Sequence, residues 1–238
     1  MSTWEHLPAQ CPACANDFDV PVLKGLHVTR LPEVRTDILE GRFQQHVCPS
    51  CGTRIQLEST SVYTDFDNWH YVGIEAPSPS SWSEARKRHV DAFDANFILG
   101  PPAAQELAHA MVHRVVFGMH ALREKLLVWD AGLDDKVVEA MKGDHLRRRG
   151  IDVRDEVLRV SAVLDGGHLL LARLSRWPLV DVDDNGVTTL PLPELRGHVT
   201  FLFDDYQRML MNQVDILGNY PWLNDNWVRD IHVAAPAR

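Results

Sequence analysis

The four cysteines of the chain fall into two C-P-x-C pairs, which constrain the fold more than any other feature. Cys11 and Cys14 form the first pair, and Cys48 and Cys51 form the second. A CxxC turn brings two thiolates together, so two turns can supply the four ligands of one tetrahedral zinc site. Four thiolates leave no open coordination position, and the Zn2+ is therefore predicted to be structural. Residues 1–76 are predicted to form a zinc ribbon-like module around this site.

The residues around the two pairs support this interpretation. A proline follows the first cysteine of each pair and restricts φ there, and Gly52 after the second pair tolerates a backbone conformation that a Cβ would strain. Arg54–Ser59 alternates in a strand period directly after the second pair. The 33 residues between Cys14 and Cys48 exceed the spacing of compact double-CxxC sites, so an insertion is expected between them. Thr36–Gln45 is predicted to supply a short helix or turn there.

Composition and the cysteine count limit the class of protein. At 238 residues the chain is long enough to bury one large core or two small ones. The N-terminal sequence has neither the basic nor the apolar region of a signal peptide, and no apolar run approaches the roughly 18 residues of a membrane span. We therefore expect a cytoplasmic protein with no membrane partner. In a reducing compartment, four cysteines favour metal binding over disulfides.

The charge distribution argues against a nucleic-acid partner. Formal net charge is −9, and residues 1–100 and 101–238 are both acidic. The two basic clusters are Arg86–Arg88 and Arg147–Arg149. Nucleic-acid binding depends on Lys and Arg neutralising phosphates, so a nucleic-acid-binding zinc protein is kept only as an alternative.

Residues 77–149 are predicted to be a connector followed by a long helical hairpin. Ala103–Trp129 carries apolar side chains at spacings of three and four, which predicts one long helix. Gly132 is a candidate C-cap, and Asp134 or Asp135 is a candidate N-cap for a second helix that reaches about Arg148. The charged runs 123–125 and 134–136 are predicted to pair across this turn as a structural network.

Two further groups of residues are candidates for a second metal. His109, His113 and His120 fall on one face of the predicted long helix, where they could bind a metal or make a subunit interface pH-dependent. Asp181–Gly186 matches the first half of an EF-hand loop, but Leu192 stands where a bidentate glutamate is expected. An Asn-Gly hairpin turn explains the same residues.

Residues 150–238 are predicted to form a C-terminal β-hairpin and helix that pack on the body of the protein. Val157–Leu164 and His168–Leu174 have the pattern of paired strands, and Pro191–Gln213 has a helical pattern. Tyr220–Trp227 is too aromatic for a disordered tail and is expected to pack on the body. The complete prediction is an α+β fold.

With both C-P-x-C pairs and the helical hairpin, the chain resembles the CpXC family. Similarity extends to Arg114–Gly118, Leu122–Leu126 and Ala131–Glu139. The resemblance implies a zinc-binding bacterial or archaeal domain without an assigned activity.

The favoured function is a non-catalytic, zinc-stabilised module for protein recognition or assembly, with a protein partner or self-association. A closed four-thiolate site, apolar residues on two faces of the predicted long helix and an acidic surface underlie this prediction. The alternative is an enzyme that uses Asp65, Asp67 and His70 as an acid and base cluster. That cluster carries no motif that identifies a reaction class.

Overall fold

The chain has the predicted α+β fold class. The computed structural model describes residues 3–77, 82–153, 155–176, 182, 186–212, 218–224, 227 and 232. These residues form six α-helices and eleven strands in three sheets. The chain divides into two compact units, Met1–Met119 with Leu179–Leu192 and His120–Pro178 with Pro193–Arg238. The predicted division into 1–76, 77–149 and 150–238 stays a prediction.

The first unit contains two sheets. Its five-stranded sheet consists, in spatial order, of β1 (Thr3–Gln10), β2 (Asp17–His27), β5 (Ser61–Asp65), β6 (His70–Glu75) and β7 (Val112–Phe117). Its three-stranded sheet consists of β10 (Val187–Pro191), β4 (Arg54–Ser59) and β3 (Gln45–Val47). The strand predicted at Arg54–Ser59 is confirmed with the same bounds.

The core of the first unit is built from strand side chains. Val22, Tyr63, Val72 and Ile74 are fully buried. Strand β6 is buried along its whole length because it lies between β5 and β7. It pairs antiparallel with β5 and parallel with β7. A parallel neighbour requires a crossover connection, and helices supply it here.

The helices of the first unit lie between strands. They are α1 (Pro32–Leu39), α2 (Trp82–Phe93) and α3 (Pro102–Ala110), with a π-helical turn at Asp94–Ile98 between the last two. Both α1 and α3 begin with proline, whose fixed φ suits the first helical position. The helix expected within Thr36–Gln45 thus begins earlier, and that segment ends in a turn leading to β3.

The prediction of one helix over Ala103–Trp129 is wrong. Helix α3 ends at Ala110, β7 follows, and α4 (Met119–Asp130) begins after Gly118. Val115 and Val116 are β-branched and lie against β6, where burial on both sides satisfies the same apolar pattern that a helix would. Gly118 adopts a φ of 84°, which ends the strand and starts the next helix.

The second unit begins with the predicted helical hairpin. Helix α4 is followed by α5 (Asp135–Arg149), and both predicted caps between them are confirmed. Gly132 has a φ of 69°, and the Asp134 side chain accepts a hydrogen bond of 2.8 Å from the Lys136 amide. Gly150 ends α5 in the left-handed conformation. The helices contribute Val128, Val137 and Leu146, among others, to the core of this unit.

The sheet of the second unit contains the predicted β-hairpin and one strand that was not predicted. In spatial order it consists of β11 (Leu195–Phe201), β9 (Leu169–Ser175) and β8 (Glu156–Val163). The prediction of a continuous helix over Pro191–Gln213 is wrong, since β11 occupies Leu195–Phe201 and α6 (Phe203–Met211) begins after it. Residues 195–201 instead satisfy their backbone groups by pairing with the edge of β9.

The aromatic C-terminal segment packs where described, as predicted. Tyr220 and Leu223 are buried and form a small apolar cluster with Ala140 of α5. The Tyr220 hydroxyl also donates a 2.6 Å hydrogen bond to Asp144 on that helix. This segment therefore belongs to the second unit.

The helices are short relative to a membrane. The longest described helix, α5, has 15 residues, whereas a span requires about 20 apolar residues. Among the described residues, none of the helices combines the length and apolar character needed to cross a bilayer.

Candidate metal centre

Each C-P-x-C pair lies at the tip of an antiparallel hairpin. Cys11 follows the last residue of β1, and β2 begins three residues after Cys14. Cys48 follows the last residue of β3, and β4 begins three residues after Cys51. The strands therefore present both turns as loops whose ends are fixed by backbone pairing.

The two turns have the same backbone conformation. The amide of Ala15 donates to the carbonyl of Cys11 at 2.9 Å, and the amide of Gly52 donates to the carbonyl of Cys48 at 2.9 Å. Both donors are left-handed, with φ of 57° at Ala15 and 73° at Gly52. Glycine adopts this region without strain, whereas alanine does not. The first turn reaches the same geometry at a conformational cost.

The four sulfur atoms form one cluster. All four lie within 4.8 Å of one another. Sγ of Cys11 is 3.7 Å from Sγ of Cys51, and Sγ of Cys14 is 3.7 Å from Sγ of Cys48. A tetrahedral zinc site with bonds of about 2.3 Å requires sulfurs about 3.8 Å apart, which agrees with these spacings. Each close pair joins one turn to the other, so a bound ion would link the hairpins.

The electrostatics of the cluster also favour a cation. The Thr53 hydroxyl, 3.2 Å from Cys51 Sγ, and the Thr53 amide lower the pKa of the Cys51 thiol to about 6. The Asn16 amide favours the Cys14 thiolate, but the neighbouring thiols and burial together raise the pKa of Cys14 to about 12. Four adjacent sulfurs repel one another's negative charge, and a divalent ion compensates that charge.

Burial divides the ligand set evenly between the turns. Cys11 and Cys48 are buried, whereas Cys14 and Cys51 are exposed. Each turn thus contributes one sulfur packed against protein and one facing solvent. A site with an exposed side allows metal to enter after the hairpins form.

The comparison with protein families agrees with this site. A family model described as CpXC protein matches residues 9–142. The chain belongs to the CpXC family. The match begins just before Cys11 and ends at Lys142 on α5, so it includes all four cysteines of this CpXC protein. No curated protein and no solved structure matches the chain. Family membership and the cysteine cluster together indicate a metal-binding module.

The proposed acid and base cluster is part of the β5–β6 turn. Asp65 and His70 are paired across the strands, and both are buried, whereas Asp67 is exposed. The Asp65 carboxylate accepts hydrogen bonds from the amides of Asp67 and Asn68, each at 3.1 Å. The Tyr63 hydroxyl donates to the same carboxylate at 3.2 Å. Asp65 therefore fixes the turn.

The three helix histidines do not share a helix face. His109 lies on α3, His113 on β7 and His120 on α4. Burial lowers the pKa of His113, and burial together with the charges of Arg159 and Arg123 lowers the pKa of His120 to about 4. The predicted common face is wrong because the long helix is interrupted by β7.

The EF-hand-like segment is mostly outside the described residues. Of Asp181–Gly186, the structure describes Val182 and Gly186. Gly186 has a φ of 72° and directly precedes β10. A calcium site in this segment stays a prediction.

The two basic clusters lie on separate units. Arg86–Arg88 belongs to α2, where Arg88 forms a 2.9 Å ion pair with the buried carboxylate of Glu75. Arg147–Arg149 is the last turn of α5, and Arg147 and Arg148 both pair with Asp144. Part of each cluster is thus neutralised within its own unit.

A buried ion network in the second unit was missed as such by the sequence analysis. Its members, hereafter the ion network, are Glu124, Lys125, Asp135, Glu139, Lys142 and Arg159. Lys125 contacts Asp135 and Glu139 at 3.0 Å each, and Lys142 contacts Glu124 at 2.7 Å and Glu139 at 2.9 Å. The side chains of these two lysines and three carboxylates are at most 3% exposed.

The ion network also reaches the sheet. Arg159 of β8 lies 3.5 Å from Glu124, and the amide of Val160 donates to the other Glu124 oxygen at 2.6 Å. Three cations thus face three carboxylates. The predicted pairing of residues 123–125 with 134–136 is confirmed by the contact of Lys125 with Asp135, but the burial of the network and its extension to Lys142 and Arg159 were not predicted. The position of Glu124 and Lys125 between the core residues Leu122 and Leu126 was the available signal for burial.

Proposed function

We propose that the chain is a non-catalytic module, stabilised by one structural Zn2+, that binds a protein partner or assembles with further copies of itself. The observation that carries this proposal is the cluster of four cysteine sulfurs with tetrahedral spacing. Cys11, Cys14, Cys48 and Cys51 would occupy all four positions of a zinc ion. When bound, the ion would supply a cross-link between two hairpins and no open position for a substrate.

The position of the cysteines supports assignment as a zinc ribbon-like site. Both turns lie at hairpin tips and contain equivalent backbone hydrogen bonds, as expected of paired zinc-binding knuckles. Thiolates are soft ligands, and a set of four in tetrahedral arrangement suits zinc or an iron–sulfur centre. We assign zinc because a closed set of four thiolates is a common ligand set of structural zinc sites.

The use of Asp65 supports a non-catalytic role. Its carboxylate is occupied by the amides and side chains of its own turn and by Arg35 at 3.4 Å. Hydrogen bonding to the charged form lowers the pKa of Asp65 even though burial alone would raise it. A carboxylate held ionised by structural hydrogen bonds is poorly suited to transfer protons near neutral pH.

The pocket of the second unit does not contain the nominated acid and base residues. It has a volume of about 610 Å3 and is lined by Asp144, His145, Arg148, Phe201 and Arg208, among others. These residues all belong to α5, β11 and α6. The enzyme alternative, which requires a pocket that gathers Asp65, Asp67 and His70, therefore receives no support from this cavity.

Native mass spectrometry of the gently purified full-length chain tests the proposal. We expect one zinc per chain and either an oligomer or a retained protein partner. Replacing zinc with Co2+ should give the visible spectrum of a tetrahedral thiolate site. A monodisperse monomer that retains no partner, or a chain that binds no metal, would contradict the proposed function.

A further inference from the structure

Exposed apolar side chains collect at one end of the five-stranded sheet. Trp69 lies in the turn between β5 and β6 and is 42% exposed, and Val112, the first residue of β7, is also exposed. The two residues are adjacent because the Val112 amide donates to the Trp69 carbonyl at 2.7 Å. The turn thus presents a tryptophan beside an edge of the sheet.

The π-helical turn brings two more apolar residues to this end. The ring of Phe97 lies 6.3 Å from Phe66 in the same β5–β6 turn and 6.0 Å from Tyr71 at the start of β6. Ile98 and Leu99 follow Phe97, and Leu99 is 80% exposed. We refer to residues 66–69, 94–99 and Val112 as the Trp69 patch.

The backbone of Trp69 is held in a conformation that its side chain disfavours. Its φ is 58°, in the left-handed region where a bulky residue costs on the order of 1 kcal/mol or more. The buried Asp65 carboxylate holds the turn by accepting bonds from Asp67, Asn68 and Tyr63. The side chain of Asn68 adds a 2.8 Å bond to the same carboxylate. Asparagine or glycine at position 69 would adopt this backbone conformation with less strain.

A second unusual backbone feature lies in the same patch. Asp94–Ile98 forms a π-helical turn, closed by a 2.8 Å bond from the Leu99 amide to the Asp94 carbonyl. π-helical turns are rare overall, and those that occur are frequently found at functional sites. Here the turn ends by exposing Ile98 and Leu99, which a regular helix would have placed differently.

The charges of the patch have one sign. Its ionisable residues are Asp67 and Asp94, and the sequence from 91 to 113 contains no lysine or arginine. Of the nearby arginines, Arg35 is paired with Asp65, and the exposed Arg30 follows Thr29, whose hydroxyl accepts a 3.2 Å hydrogen bond from the Phe66 amide. An exposed apolar patch with polar residues at its rim is typical of a protein-binding surface, and tryptophan is the residue most often found at the energetic centre of such surfaces. The carboxylates favour a cationic partner.

We propose that the Trp69 patch is the recognition surface, and that it binds a protein segment with aliphatic or aromatic side chains flanked by lysine or arginine. This inference rests on the proposed function and names its surface and partner chemistry. Trp69 and Leu99 contact the apolar side chains of the segment, and Asp67 and Asp94 lie beside its cations. Binding weakens as salt concentration rises because these charges are exposed.

Selection of random 12-residue peptides displayed on phage, against the full-length zinc-loaded chain, tests this surface. Selected peptides are synthesised, and their affinities are measured by fluorescence anisotropy. We expect enrichment of Lys or Arg together with Leu, Ile, Phe or Trp. Trp69→Asn and Leu99→Ser should each weaken binding at least about 10-fold, as expected for central interface residues.

Two further variants separate binding from folding. Trp69→Asn should melt at the same temperature as the wild type or higher, because asparagine tolerates the left-handed region, while its binding is lost. Asp67→Lys combined with Asp94→Lys should reverse the preference of selected peptides from basic to acidic. Leu195→Ser, at an exposed leucine of β11 in the other unit, is the matched control and should leave affinity unchanged.

The outcomes distinguish this surface from the proposed function. Peptides that bind Trp69→Asn as tightly as the wild type would place recognition elsewhere and overturn only the present inference. Acidic selected peptides would overturn the partner chemistry. An oligomer that Trp69→Asn dissociates would identify a second copy of the chain as the occupant and also overturn it. Absence of any selected peptide, with a partner-free monomer in native mass spectra, would overturn both proposals.

Discussion

The cysteine cluster of the first unit and the ion network of the second join chain segments by different chemistry. The cysteines bring two hairpin tips together, and a bound cation would compensate the charge of their four sulfurs as thiolates. The ion network brings α4, α5 and β8 together, and its three cations already balance its three carboxylates. A metal ion would complete the cysteine cluster, whereas the ion network is complete within the chain.

The two units are expected to lose stability through different changes. Metal binding to cysteines adds free energy that the apo hairpins lack, so removal of a bound metal is expected to remove that stability. A buried ion network adds little net stability, because desolvation offsets its Coulomb attraction, but removal of one member leaves an uncompensated charge. The first unit should therefore respond to chelators and the second to single charge substitutions.

The largest effect is expected for Cys48→Ser. Zinc bound by thiolates in small domains contributes on the order of 10 kcal/mol, comparable with the whole stability of a domain. The variant should lose its bound zinc and the thermal transition of the first unit, measured by metal analysis and calorimetry. Ser50→Ala, at an exposed position of the same turn, should retain both. Unchanged melting of Cys48→Ser would contradict a structural role for the metal.

The second-largest effect is expected for Lys142→Met in the ion network. Loss of this cation leaves Glu124 and Glu139 buried with less compensation and should lower the free energy of unfolding of the second unit by about 3–5 kcal/mol. Denaturant unfolding measures the change. Lys136→Met on the same helix is the control and should change stability by less than about 1 kcal/mol. Equal losses in the two variants would mean that burial of the network has no special cost.

Glu58 of β4 is a further buried charged site, in which burial changes the pKa of one carboxyl group. Both oxygens lie 3.0 Å from the Met119 amide, and burial raises the pKa of Glu58 to about 8, although the Met119 hydrogen bond opposes the shift. An acidic group whose pKa is raised by folding contributes its full stability below the unfolded pKa, near 4.5. This contribution is lost as the pH rises towards the folded pKa of about 8.

Glu58→Gln removes this titration and keeps the acceptor. Relative to the wild type, the variant should gain stability steadily between about pH 4.5 and pH 8, by up to a few kcal/mol at about 1.4 kcal/mol per pKa unit. Unfolding measured at several pH values tests the slope. A constant difference between Glu58→Gln and the wild type would show that Glu58 titrates normally.

The smallest effects are expected at the left-handed positions of the two cysteine turns. Gly52→Ala should lower stability by about 1 kcal/mol through backbone strain alone, since no atom lies within 4 Å of the added Cβ. Ala15→Gly should raise stability by at most about 0.5 kcal/mol, because relieved strain is offset by a more flexible unfolded chain. Thermal unfolding of the zinc-loaded variants measures both. If Gly52→Ala does not lower stability, or if Ala15→Gly lowers it, the backbone strain in the two turns is not alike despite their matching hydrogen bonds.

The candidate site was largely predictable because its signals are local. The spacing of Cys11 with Cys14 and of Cys48 with Cys51 sets the turn, and residues 54–59 alternate as a strand beside it. The cap at Asp134 was likewise written in adjacent residues. Each of these features depends on groups a few residues apart, so no knowledge of the rest of the fold was required.

Local sequence patterns sufficed to predict the paired cysteine turns, the α+β class, and the turn and second helix of the helical hairpin. Only the tertiary structure decided that 112–117 is a strand, because β6 supplies the partner that a valine-rich segment needs. It likewise buried Glu124 and Lys125, whose compensating charges come from α5 and β8. A pair of opposite charges has the same sequence pattern whether it lies at a surface or in a core. The free-energy cost of burying it depends on groups distant along the chain.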